Sequence, residues 1–299
     1  MQSRRNFLRN SSLLSASLLI SPSLFGESFS FDKHKVGLQL YTVRDAMAKD
    51  PAGTLSRVAE IGYKEVEAAT YTGTELFYGM NVADFSSQLK KNGLTMPSGH
   101  YALGTSGAGA PRGTILNDWE KAVEDAVKVG QKYMVCAYLT PEERKTIDDY
   151  KQVAEHFNKA GETCKKAGIQ FCYHNHNFEF PEIDGQVPYY VLLNNTDKEL
   201  VKMEVDLYWI TKAGYDPVEL FAKHPKRFPL WHVKDMDKTE KKSFTEVGNG
   251  VIDFKKIFSK ATQSGMQHFF VEQDVSSDPM ASIATSYKYI ESSLIKKLS

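Results

Sequence analysis

Cysteine is scarce in this chain. Three thiols among 299 residues, Cys136, Cys164 and Cys172, do not make a disulfide framework. Cys136 and Cys172 fall in predicted strands and Cys164 in a predicted helix, where a thiol serves as a small buried apolar group. An excess of either charge is also missing. Basic and acidic residues both number 37, so nothing marks a nucleic-acid or polyanion partner. No apolar run suits a stable membrane span: the stretch 13–25 is short and rich in serine. A Gly-x-Gly-x-x-Gly is absent after the first predicted strand, which argues against a dinucleotide-binding, doubly wound sheet.

The N-terminal 26 residues stand apart from the rest. Arg4 and Arg5 precede the modest apolar stretch, the layout of a signal peptide, and paired arginines mark the route that exports folded proteins. Residues 1–26 are therefore expected to be a cleavable twin-arginine signal peptide and the protein to be periplasmic. No Cys follows to carry a lipid anchor. Removing this segment takes away Arg4, Arg5 and Arg9 and no acid, leaving a net charge of −3.

What is abundant is a repeated unit: amphipathic helix, Gly, short spacer, strand. It occurs around Gly62, Gly93, Gly130, Gly168 and Gly265. Each Gly is the residue expected just past a helix C-terminus, where a left-handed backbone costs it little. Further strands are predicted at 36–41, 201–207 and 228–234. Eight strands separated by helical stretches in about 250 residues is the arithmetic of a (β/α)8 TIM barrel. The expected fold is α/β, one such barrel over 34–296. Its sites lie at the C-terminal ends of the strands.

Ionisable residues fall at those ends. Side chains of a strand alternate faces with period two. Glu204 therefore shares a face with Asp206, His232 with Lys234, and Glu272 with Asp274. Oxygen and nitrogen donors of this kind suit a hard or borderline divalent cation. The fifth strand reads on through Cys172, His174 and His176, all expected on one face. Two histidines two apart at a strand end point to ligands, a base or substrate hydrogen bonding. His176 is the first choice of base and Glu179, in the following loop, the second. Glu272 is the candidate second acid/base. Glu67, His100, His174, Trp209 and Lys234 are expected substrate contacts, with Trp209 placed to stack on a ring of the substrate. Glu204 lies deeper and is expected to support the ligands rather than join them.

The chain resembles the sugar phosphate isomerase/epimerase superfamily, the xylose-isomerase-like TIM barrels. The resemblance rests on Leu38-Gln-Leu-Tyr-Thr-Val-Arg44, Tyr173-His-Asn-His176, Val205-Asp-Leu-Tyr-Trp209, His232-Val-Lys-Asp235, Val247-Gly-Asn-Gly-Val-Ile-Asp253 and Val271-Glu-Gln273. It implies one divalent metal, with Mn²⁺ favoured over Mg²⁺, Zn²⁺ or Co²⁺. Asp206, His232 and Glu272 match the family's ligands on strands six, seven and eight. For the strand-five carboxylate the nearest counterpart is Glu179, with His174 or His176 as the alternative ligand.

Such a site suits removal of a proton next to a carbonyl, because a metal stabilises the charge that develops on oxygen. The Tyr-His-Asn-His pattern looks most like the keto-inositol dehydratase and keto-glycoside lyase branch. The expected enzyme is a lyase or dehydratase acting on an unphosphorylated keto sugar or glycoside, supplied by a partner oxidoreductase. Isomerisation or epimerisation is the alternative, and a non-catalytic sugar-binding barrel a further one. A three-metal nuclease is disfavoured by the mature charge and the single ligand set.

Overall fold

The computed structural model describes residues 35–107 and 109–295. The expected signal peptide lies outside the described residues. The described chain forms a closed barrel of eight parallel strands. These are β1 (Gly37–Gln39), β2 (Glu65–Ala68), β3 (Thr95–Tyr101), β4 (Tyr133–Cys136), β5 (Gln170–His174), β6 (Val201–Asp206), β7 (Leu230–Val233) and β8 (His268–Val271). Each strand pairs with its neighbours in sequence, and β1 closes the ring against β8. A two-stranded ribbon, Asp235–Met236 against Phe244–Thr245, folds over the mouth after β7.

Local chemistry starts and stops the intervening helices. Asp50, Asn81, Thr146, Asp216, Asp253 and Asp278 each cap a helix with a side-chain oxygen. Pro51, Pro188, Pro217 and Pro279 open helices, where a missing N–H costs nothing. Gly62, Gly130 and Gly265 close them at φ of +127°, +94° and +88°. Among the described residues, no helix is long and apolar enough to cross a membrane.

Two cores result. The larger lies between the barrel wall and the helices; there Phe157, on the helix Ile147–Lys166, packs against Phe171 and Tyr173 of β5. The smaller fills the barrel itself with Val135, Cys172, Leu230 and Phe270. All three cysteines are buried and free. The inward set on β5 is thus Cys172 and His174, and the outward set Phe171 and Tyr173.

Candidate active site at the barrel mouth

One step above the apolar plug, the inward positions turn ionisable. Glu67 of β2, His100 of β3, His174 of β5, Glu204 and Asp206 of β6, His232 of β7 and Glu272 just past β8 are all buried. Adjacent strands bring them together. Pairing of β6 with β7 sets Asp206 beside His232, and pairing of β5 with β6 sets His174 beside Glu204.

His232 is the hub. Its Nδ1 lies 2.6 Å from Glu272 Oε2 and its Nε2 2.6 Å from Glu67 Oε2. Burial pulls the imidazole down, but Glu204, Glu272 and Glu67 outweigh it and hold the pKa well above its ordinary value. His100 Nε2 stands 2.9 Å from Glu204 Oε2. His174 approaches Glu204 at 3.2 Å and Asp206 at 3.7 Å. Burial, with His232 nearby, drives its pKa well down, so this ring is neutral and free to donate a lone pair. Glu67 is braced by Gln39 Nε2 at 2.8 Å and Ser98 Oγ at 2.5 Å. Burial and the charge of Glu67 push Glu204 up to about 7.

A second ring of contacts centres on Lys234. Its Nζ lies 3.0 Å from Asp206, 2.7 Å from Glu272 and 2.7 Å from Asp274. Burial lowers its pKa, but these three carboxylates more than compensate and keep it cationic. Asp206 also receives the backbone N–H groups of Tyr208 and Trp209 on Oδ1, and its own N–H donates to Asn175 Oδ1. The end of β6 that carries Asp206 is therefore fixed by backbone bonds as well as by charge.

Two overlapping donor groups suit a divalent cation. His100, His174, Glu204 and His232 form one; Asp206, His232 and Glu272 form the other, and in each the donor atoms lie within 4.8 Å of one another. Glu204 Oε1 is buried without a hydrogen-bond partner, which is costly unless something electropositive meets it. Mixed carboxylate and imidazole donors are what hard or borderline divalent ions take. The residues present fit such an ion.

The expected residues divide as follows. Asp206, His232, Glu272, His174, Glu67, His100 and Lys234 converge. Glu179 does not join them: its carboxylate receives the Tyr173 hydroxyl at 2.5 Å and the His176 N–H at 2.9 Å. It faces the outward Tyr173 rather than the barrel axis, and burial pushes it up to about 7. The ladder of β5 ends at His174, so His176 stands in the loop above rather than on the strand. There its ring stacks on Phe178 and packs edge-on against Tyr138, with Trp209 at 5.7 Å. Burial and then Lys234 lower it to about 3, and its Nδ1 has no partner. Trp209 lies at the mouth between His176 and Phe244. Glu204, expected as a supporting residue, is a member of the donor cluster. Its inward position two residues before Asp206 was the available signal. Gln39, Ser98 and Asn175 are further members whose neutral side chains carry no mark in sequence.

Comparison with known proteins agrees with this architecture. The family model for the xylose isomerase-like TIM barrel matches residues 55–292. An inosose dehydratase of Clostridium perfringens is 26% identical over 164 residues, covering 48% of this chain and 54% of that protein. The chain thus spans about half the length of the first curated relatives it matches. An inosose dehydratase of Geobacillus kaustophilus is 24% identical over 267 residues, 79% of this chain and 82% of its own. A solved sugar phosphate isomerase/epimerase from Parabacteroides distasonis superposes with a TM-score of 0.74 at 28% identity, covering 88% of this chain and 95% of that one. A xylose isomerase-like TIM barrel protein from Mycobacterium smegmatis, in complex with magnesium, shares the fold at a TM-score of 0.63 and 17% identity, over 91% of this chain and 100% of that one. Barrel, donor cluster and family match together place the chain in the xylose isomerase-like TIM barrel family.

Proposed function

We propose that the protein is a divalent-metal-dependent lyase or dehydratase acting on an unphosphorylated keto sugar or glycoside. The observation that supports this most is the convergence of Asp206, His232 and Glu272 with His174 at the C-terminal mouth of the barrel. These four residues would hold the cation, with His174 as the strand-five donor. When bound, the ion would stabilise negative charge developing on substrate oxygen.

The protein's own groups do the rest. His176, whose neutral imidazole stands in the loop above β5 beside Trp209, receives the proton from the carbon next to the ketone. The electron pair of that C–H bond becomes a carbon–carbon double bond. The β-substituent leaves with the electrons of its C–O bond and takes the proton that His176 has just received, which restores the neutral ring. Lys234, anchored by three carboxylates, presents a fixed ammonium to a substrate oxygen. Glu272, bonded to both His232 and Lys234, is the second acid/base. Glu179 holds the loop of His176 through its backbone N–H. Trp209, beside His176 at the mouth, offers its ring to the sugar, and Phe178 backs the His176 imidazole from behind.

The relatives named inosose dehydratase support a dehydratase-type elimination. The structural relative named a sugar phosphate isomerase/epimerase supports a second reading, in which the same proton is returned rather than a group expelled. Metal analysis of purified protein tests the cation, with one per chain expected. Incubation with a 3-keto glycoside in D₂O, followed by NMR, separates the reactions. Aglycone release with loss of the hydrogen beside the ketone and appearance of an unsaturated ketone establishes elimination. Deuterium beside the ketone without release establishes epimerisation or isomerisation, and the absence of both release and deuterium defeats proton abstraction altogether.

Export by the twin-arginine route completes the proposal. It places the enzyme in the periplasm, away from phosphorylated sugars, with an oxidoreductase supplying the ketone. Replacing Arg4 and Arg5 by Lys should retain the protein in the cytoplasm; unchanged periplasmic yield would refute this.

A further inference from the structure

A groove of about 590 Å³ runs outward from the donor cluster across the loops that follow β2, β3 and β4. His100 belongs to both: it bonds Glu204 in the cluster and lines the inner end of the groove. Beyond it the walls are chiefly carbon, from Tyr71, Ala102, Leu103, Ala137 and Tyr138. Tyr138 is 42% exposed and packs edge-on against His176, so one face of the groove adjoins the proposed base. The Tyr71 hydroxyl is already bonded to Asp125 and the Tyr101 hydroxyl to Gln131. Those phenols offer a ligand no free hydroxyl. Glu142 and Glu143 stand at the outer end, and no Lys or Arg lines the groove among the described residues.

A monosaccharide held at the cluster does not need this space. A sugar bearing a second, apolar part does, because the groove is continuous with the cluster and of the size that encloses small ligands. An anionic second part would meet two glutamates and no lining cation, since Arg144 lies over the Phe178 ring, outside the lining. We infer that the substrate is a two-part molecule, a sugar ring at the donor cluster carrying an uncharged apolar or aromatic substituent that lies in this groove. The inference rests on the proposed function for where the sugar ring sits. The aromatic part is placed by the groove alone.

The test uses the Mn²⁺-loaded full chain and titration calorimetry with two unreactive probes, methyl β-glucoside and phenyl β-glucoside. Phenyl should bind about 10- to 100-fold more tightly, the gain expected from burying one aromatic ring. Ala102→Trp, which fills the groove, should erase that preference, and Tyr138→Ala should reduce it. Equal affinity of the two probes overturns the inference, as does failure of both to bind. So does a preference left intact in both variants. Deuterium uptake by methyl 3-keto-glucoside, followed in parallel, reports proton abstraction alone. Uptake without a phenyl preference sinks the groove and spares the reaction; a phenyl preference without uptake does the reverse.

Discussion

Two adjacent layers of the barrel interior are built by the same strands and have opposite characters. In the lower, Cys172, Leu230 and Phe270 meet Val135 in an apolar plug. Two residues further along the same strands stand His174, His232 and Glu272. The pleat puts both layers inside, and only the side-chain chemistry differs. The plug contributes stability by burying carbon. The upper layer buries carboxylates and imidazoles, which is costly unless each is paired or meets a cation. A single barrel thus separates a layer kept for stability from a layer kept for chemistry by about 7 Å, the rise of two strand residues.

Variants in the two layers should part company accordingly. The largest effect is expected from Asp206→Ala in the upper layer. Loss of a ligand that also accepts two backbone N–H groups should remove most bound metal and lower turnover by about a thousandfold or more, several kcal/mol of charge stabilisation. Metal content and single-turnover kinetics check it; retained metal would remove Asp206 from the ligand set. Leu230→Ala in the plug should do the converse. A fully buried leucine lost from a packed layer costs about 2–5 kcal/mol of stability, read in denaturant melts, with metal content per folded chain unchanged.

The next effect is kinetic and local. His176→Ala should cut turnover by about 10² to 10⁴-fold with metal retained. Metal lost together with the histidine would make it a ligand, and unchanged turnover would leave it a packed loop residue. The smallest effect concerns Glu179, outside both layers. Burial raises its folded pKa to about 7, above its unfolded value. A raised pKa contributes stability that is complete below the unfolded value and is lost as pH rises through about 7. Glu179→Gln should therefore be relatively most stable near pH 8. Its difference from the parent chain should shift by about 1–3 kcal/mol between pH 5 and pH 8. A pH-independent difference would show that burial does not govern this carboxyl.

Much of this was legible in the chain. The five helix–Gly–strand units mark their strands because a left-handed residue after a helix leaves a local signature. Alternation within β6 and β7 placed Asp206 and His232 inward without any knowledge of partners. Other features resisted. Glu179 looked free to turn over the mouth, but the Tyr173 hydroxyl and His176 N–H claimed it. The end of β5 was invisible too. Asn175 leaves the ladder to bond the backbone of Asp206, a contact between residues 31 apart. Glu204 was expected to support the ligands, but its partner was not legible: barrel curvature brings His100 from across the mouth to within 2.9 Å of it.

The sequence by itself therefore determined the barrel, the count of strands and which residues of β6 and β7 share a face, because periodicity, caps and turn residues act over a few neighbours. Only the tertiary structure decided which inward groups meet. That choice depends on ring closure between β1 and β8, on register between neighbouring strands and on which loop donors reach each carboxylate. These are distances across the barrel, and no local pattern of residues encodes them.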